Sequence, residues 1–325
     1  MKFKLLLLLI FSTFLLAEKC EMWYEDNNLR QAGYFPQDAK EKFINTQTWK
    51  ESRKRMSVYL VRANALYLRK NNITDYFLKN KMIKVLKNSN IKLALNVRGA
   101  TLAHASKKRK KIWDKEMNLI DKLEKMGAHI DSINFQSALS KSNKFTHHKN
   151  KDKVYAYPLQ QRITDIVSYA KIIHQKYPHI KFGLIDALPA KGYPYRDPYR
   201  KLVRAMKEAH LTLHHILLDL PNDFIERHRK GLTWQKVIAV EKYVQNELHL
   251  KYGKIFHDAR AGRTSDHLFF TNVMKMAKRY TKEGGHPDYC LLMSWYPHPS
   301  RTIPETEKYT QMNTFLELSK YINKY

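Results

Sequence analysis

Arg162-Ile163-Thr164-Asp165-Ile166-Val167-Ser168-Tyr169-Ala170-Lys171-Ile172-Ile173-His174-Gln175-Lys176-Tyr177-Pro178-His179-Ile180-Lys181-Phe182-Gly183-Leu184-Ile185-Asp186 reads as a helix running into a strand. Ile163, Ile166, Val167, Ala170 and Ile173 recur at helical spacing, and Pro178 follows the end at Tyr177. Ile180 to Ile185 is short, apolar and partly β-branched, as a buried strand is. The unit repeats outward in both directions. Upstream lie strand-like Ser57 to Val61, Ile91 to Val97 and Ile130 to Phe135, with helices over Asp75 to Lys87 and Lys115 to Met126, the latter stopping at Gly127. Downstream come helix Tyr199 to Ala209, strand Leu213 to Leu218, helix Trp234 to Leu248, strand Lys254 to His257, helix Leu268 to Tyr280, strand Tyr289 to Trp295 and helix Thr310 to Ile322. Such alternation predicts a parallel sheet with helical crossovers. Seven strands are clear, and an eighth falls in the stretch 19–50 or is degenerate. No Gly-rich phosphate turn follows the first strand, so the dinucleotide and P-loop folds lack their chemistry. The prediction is an α/β protein, a single-domain (β/α)8 TIM-type barrel over residues 18–325.

Of 325 residues, 43% are hydrophobic and 12% aromatic, with 10 Gly and 11 Pro, which excludes a disordered or collagen-like chain. Two cysteines exclude a disulfide-framework domain and zinc-finger arrays; Cys20 and Cys290 either pair or stay as two thiols. Residues 1–17 have the layout of a signal peptide: a basic head with Lys2 and Lys4, an apolar run from Leu5 to Leu16, and Ala17 at the cleavage point. A retained anchor is the competing reading, although the run is short of the roughly 20 residues a spanning helix needs. Cleavage removes Lys2 and Lys4 and takes the formal charge from +29 to +27. The expected location is therefore outside the cytoplasm, periplasmic or secreted, with no stable membrane span after processing.

In a barrel of this type the active site forms at the C-terminal ends of the strands. Those positions carry Arg62 and Asn64, Asn96 and Arg98, Gln136, Asp186, Asp219, His257 and Asp258, and finally Trp295, Tyr296 and His298. Strand ends are polar wherever loops begin, which accounts for much of any single position. Three carboxylates on successive strands, each directly after an aliphatic run, are harder to explain that way, because an unpaired buried charge is costly. Trp295 and Tyr296 offer apolar ring faces of the kind that hold sugars, or plug the barrel mouth.

The run from Pro287-Asp288-Tyr289 to Ser294-Trp295, followed by Pro299-Ser300-Arg301-Thr302-Ile303-Pro304-Glu305-Thr306, resembles the last-strand segment of bacterial secreted glycoside-hydrolase-like TIM-barrel proteins. With the strand order, the resemblance spans roughly residues 33–325. It implies a barrel, a secreted setting and carbohydrate as ligand, with Asp186 as general acid/base, Asp219 or Asp258 as second carboxylate, and Glu305 among the substrate-binding residues. It also implies acids after the second, third and fourth of the seven strands, where this chain has Asn96 with Arg98, then Gln136, and only then Asp186. Two functions follow: a hydrolase working by a carboxylate pair, or a silent barrel that binds a glycan without cleaving it.

No cofactor motif is present, and no His-Glu-x-x-His or Cys-x-x-Cys; the least unsuitable metal set is His257, Asp258 and His298, and none is expected to hold an ion. A histidine-based phosphodiesterase, with Arg98 on phosphate, is a minor variant. Lys107 to Lys111, a helix N-terminal segment or a loop, and the lysines of 141–153 follow the second and third strands, and are either solvated surface runs or a patch facing a polyanion. Without a zinc-finger, RNP or helix-turn-helix pattern, that partner is a polysaccharide or other polyanionic glycan rather than a specific nucleic acid.

Overall fold

A computed structural model describes residues 20–27, 37–67, 81–102, 106–140 and 158–324. Eight strands, β1 (Glu21–Glu25), β2 (Val58–Arg62), β3 (Lys92–Val97), β4 (Ile130–Gln136), β5 (Lys181–Asp186), β6 (Leu213–Leu218), β7 (Lys251–Phe256) and β8 (Tyr289–Leu292), close into a barrel in sequence order. Every neighbouring pair is parallel, including β1 with β8. This is the (β/α)8 barrel that the alternation predicts. The eighth strand is β1, hidden because only Met22, Trp23 and Tyr24 separate Glu21 from Glu25.

Side chains alternate across each strand, and the alternation separates two cores. Trp23, Val58, Leu60, Ala94, Ile185, Leu217, Ile255, Leu291 and Met293 fill the barrel interior. Their neighbours, such as Tyr24, Tyr59, Leu95, Phe135, Phe182 and Phe256, pack outward under the helices. Two interior positions need glycine. A Cβ on Gly183 would lie 2.0 Å from His215 Nε2, and one on Gly253 2.0 Å from Leu217 Cδ2. The space at Gly183 admits the buried contact of 2.6 Å between His215 Nε2 and Asn134 Oδ1.

Of the crossover helices Ser106–Lys125, Leu159–Lys176, Arg196–Glu208, Asp266–Lys282 and Gln311–Ile322, all but the first lie close to their sequence-predicted spans. Ser265 and Thr310 cap the last two through their hydroxyls, and Gly127, at φ +77°, follows the first. Helix Ser106–Lys125 starts earlier than periodicity suggests, so Lys107 to Lys111 belongs to a helix rather than a loop. The predicted helix at 75–87 is described only from Met82, and residues 1–19 and 141–157 lie outside the described residues.

Cys20 and Cys290 form a disulfide with Cα atoms 6.1 Å apart, resolving the two alternatives the sequence leaves. It spans 270 residues and ties the start of β1 to β8 at the barrel seam. Constraining so long a loop restricts the unfolded chain. Denaturant titration of the Cys20→Ser/Cys290→Ser protein is expected to show a loss of about 2–4 kcal/mol. Reductant is expected to shift the wild type to the same midpoint and leave the variant where it is.

Candidate active site

Strand alternation divides the acids that the sequence places at the strand ends. Asp186 shares parity with Phe182 and Leu184, so it points into the helix layer. Its carboxylate is fully buried and accepts four backbone amides: Ala187 at 2.7 Å, Leu188 at 3.0 Å, Ser140 at 3.2 Å and Leu139 at 3.3 Å. Burial raises its pKa against the opposing effect of Lys191 and the amides. Asp186 is thus a clamp between the loops after β4 and β5, which corrects its assignment as general acid/base. Asp258 is corrected on the same ground: fully buried, it accepts from Asn222, Asn272 and the Ala261 amide. Asp186→Asn is expected to lower stability by about 2 kcal/mol, the scale of hydrogen bonds to a charged group. The folded fraction of that variant is expected to retain the wild-type turnover on any substrate the protein proves to have.

Two other carboxylates sit on the interior parity at the C-terminal end. Glu25 closes β1, and Asp219 follows β6. Glu25 is ion-paired with Arg62 at the end of β2, and both are buried. The Arg62 guanidinium lies 3.5 Å over the ring of Trp295, which covers one face of that indole. Burial pushes the Glu25 carboxyl up to about 7; Arg62 opposes the rise, while Asp26 and Asp219 add to it. Asp219 Oδ1 lies 2.9 Å from His257 Nε2, with His257 beneath and the Asp219 side chain 18% exposed. The backbone of Glu25 is fixed from the far end of the chain, since its carbonyl accepts the Gln311 side-chain amide at 2.8 Å.

Asn96 and Gln136 complete the buried floor. Both polar atoms of the Asn96 amide are buried with no hydrogen-bond partner among the described residues, an uncommon state for a native polar group. Tyr296 is partly buried at the rim, with its hydroxyl pKa raised chiefly by desolvation. Arg62, Asn96, Gln136, Asp219, His257 and Trp295, all anticipated from strand ends, therefore converge on one mouth.

The remaining positions lie beyond the strand ends. Asn64 lies on the short helix Ala63–Tyr67. The Arg98 amide donates to Glu116, as does that of Gly99. His298 pairs through Nδ1 with Asp266, which also takes the Ser300 hydroxyl at 2.7 Å. Glu305 is corrected from substrate binding to structure: its two oxygens accept the Glu51 and Ser52 amides at 2.8 and 2.7 Å, at the start of helix Lys50–Arg55. The metal set His257, Asp258 and His298 is broken up by Asp258 facing outward. The one His/carboxylate group of suitable span among the described residues is Glu124, His129 and His179. It lies at the opposite end of the barrel, before β4 and β5. Its two imidazoles are stacked within 6° of parallel at 4.6 Å between centroids, so both rings cannot aim a lone pair at one ion. Glu25 is the interior strand-end carboxylate that sequence reading misses. Counting forward by two from the interior Trp23 would have flagged it only once β1 was known.

No family model matches the chain, and no curated relative does. Solved structures do match in fold. One is a psychrophilic glycoside hydrolase family 10 endo-β-1,4-xylanase, 12% identical over 86% of each chain with a TM-score of 0.53. Another is an intracellular xylanase from Thermoanaerobacterium saccharolyticum, 11% identical over 86% of each chain, TM-score 0.54. A third is a 3-keto-D-glucoside 4-epimerase from E. coli, 10% identical over 94% of this chain and 100% of that one, TM-score 0.51. The chain is a single-domain TIM barrel whose structural neighbours include glycoside hydrolases, and at these identities the likeness establishes the fold.

Proposed function

We propose that the protein is an exported glycoside hydrolase acting on an anionic polysaccharide, with Glu25 as proton donor and Asp219 as the second carboxylate. One observation carries the reading. Two acids face the barrel interior at its C-terminal end, and their surroundings differ: one is buried and holds its proton up to about pH 7, the other stands at the opening beside a histidine. Such a division assigns an acid and a charge-bearing partner. Glu25 protonates the glycosidic oxygen as the C1–O bond breaks and the alcohol leaves. Ionised Asp219 faces the developing positive charge, water adds to C1, and its released proton restores Glu25. Asn96 and Gln136 bind hydroxyls, and Trp295 supplies an apolar face.

Export is part of the proposal. A leader-like residue 1–17 segment precedes a chain whose two cysteines are joined, as is usual in oxidising compartments. N-terminal sequencing of protein recovered outside the cytoplasm is expected to begin at Glu18.

A second reading, binding without cleavage, is favoured by one feature: Glu25 is 3% exposed and engaged by Arg62 under Trp295, so a sugar reaches it only if the Trp295–Arg62 stack moves. Reducing-end release from a panel of neutral and acidic polysaccharides separates the two. Release by the wild type and its loss in Asp219→Asn supports the hydrolase. Saturable binding with no release by either protein supports the silent barrel.

A further inference from the structure

Beyond the floor, two arginines stand on the rim in an unusual state. Arg263, in the loop after β7, lies 4.0 Å over the Tyr296 ring, and Arg229, in the loop after β6, lies 3.9 Å over the Phe224 ring. Both are exposed. Among the described residues neither has a carboxylate partner, whereas Arg196, Arg200, Arg204, Arg279 and Arg301 each do. The loops that carry them are held in place. Asp223 accepts the Ala259 amide at 2.9 Å and so joins the loops after β6 and β7, and Lys230 packs against Gly192 of the loop after β5. Tyr296 brings the pieces together, since its hydroxyl is within electrostatic reach of Arg263, Asp219, Asp223 and Arg229.

Stacking on an aromatic face fixes the guanidinium plane and leaves its N–H edge free to donate, which suits a planar carboxylate. A lysine cluster attracts anions in general, but two oriented guanidinium groups beside a sugar-sized aromatic select a bidentate acceptor. The location also matters, since the two arginines are carried by the loops after β6 and β7, the strands that lead into Asp219 and its partner His257. An acidic sugar seated there has its charge neutralised next to a carboxylate that would otherwise repel it. We infer that Arg229 and Arg263 form a subsite for the carboxylate of a uronic-acid residue adjacent to Asp219. This deepens the glycan reading of the same mouth and rests on it.

The test is binding of three probes of equal length: oligogalacturonate, a dextran sulfate oligosaccharide, which carries sulfate but no uronate, and a neutral xylo-oligosaccharide. Wild type, Arg229→Gln/Arg263→Gln, Trp295→Ala and the remote control Arg200→Gln/Arg204→Gln are compared at two salt concentrations. The inference expects oligogalacturonate to bind the wild type best. The rim double variant should lose at least tenfold in that affinity and keep its affinity for the neutral probe, and the remote control should lose less than threefold. Equal loss in the remote control means that net charge alone attracts the polymer, and overturns the subsite. Tighter binding of the dextran sulfate oligosaccharide than of oligogalacturonate to the wild type overturns the carboxylate assignment in favour of sulfate. Neutral binding that is as tight as acidic overturns the subsite but leaves the sugar reading standing. If no probe binds the wild type, or if Trp295→Ala leaves every affinity unchanged, the sugar reading itself fails, and the subsite fails with it.

Discussion

Glu25→Gln is expected to lower kcat/KM by about 10²–10⁴-fold on whichever polysaccharide the wild type cleaves, the usual contribution of a positioned proton donor. The amide keeps the shape of the side chain and cannot give up a proton. The pH profile provides the sharper readout. Because burial holds the Glu25 carboxyl at about 7, the group carries its proton below that pH and loses it above. Wild-type activity should therefore fall on the alkaline side with a limb near pH 7, and the residual activity of Glu25→Gln should lack that limb. Stability has a matching sign. The folded-state value lies above the ordinary 4.5, so the native state holds a proton that the unfolded chain releases. The contribution of Glu25 is present in full below about pH 4.5 and is lost as the pH rises through about 7. Glu25→Gln should flatten the stability curve across that window. Full activity in the variant would remove Glu25 from the chemistry.

Lys42→Ala is expected to cost about 3–5 kcal/mol, the scale on which breaking one side of a buried ion pair destabilises a fold. Lys42 is completely buried and paired with Asp26, and its Nζ also donates to the Tyr59 hydroxyl at 2.9 Å. Tyr24 donates to the same carboxylate at 2.8 Å. Burial lowers the Lys42 pKa while Asp26 opposes that shift, so the pair survives only as a pair. Removing the ammonium leaves Asp26 charged and buried directly after Glu25. The double variant Asp26→Asn/Lys42→Met should lose less than Lys42→Ala alone, because it leaves no isolated charge. Urea titrations of the three proteins measure this. A double variant that loses as much as Lys42→Ala alone, or more, would show that the two groups do not act as a unit.

The barrel was legible because its strands, buried on both faces, are continuous apolar runs between amphipathic helices. The interior polar residues were legible as strand ends. The division among the acids was not, since Asp186, Asp219 and Asp258 all follow apolar runs and differ only in parity. A one-residue offset turns a side chain from the mouth to the helix layer. Asp186 then finds four amides, while Asp219 finds His257 and the opening. Glu25 was obscured for a different reason. Its strand has three apolar residues between glutamates and follows closely on the far stronger apolar run of residues 5–16, so no periodicity stands out. Glu305 shows the opposite error: a plausible acid in a characteristic segment spends both oxygens on a helix start.

The barrel seam has a consequence for when the protein becomes competent. Glu25 comes from the first strand, Trp295 from just past the last, and the glutamine holding the Glu25 carbonyl from the final helix. A chain emerging from a ribosome or passing through a membrane pore presents the first of these long before the others. Until the last strand docks beside the first, Glu25 has neither its covering ring nor its backbone anchor. A C-terminally clipped chain therefore holds no complete mouth.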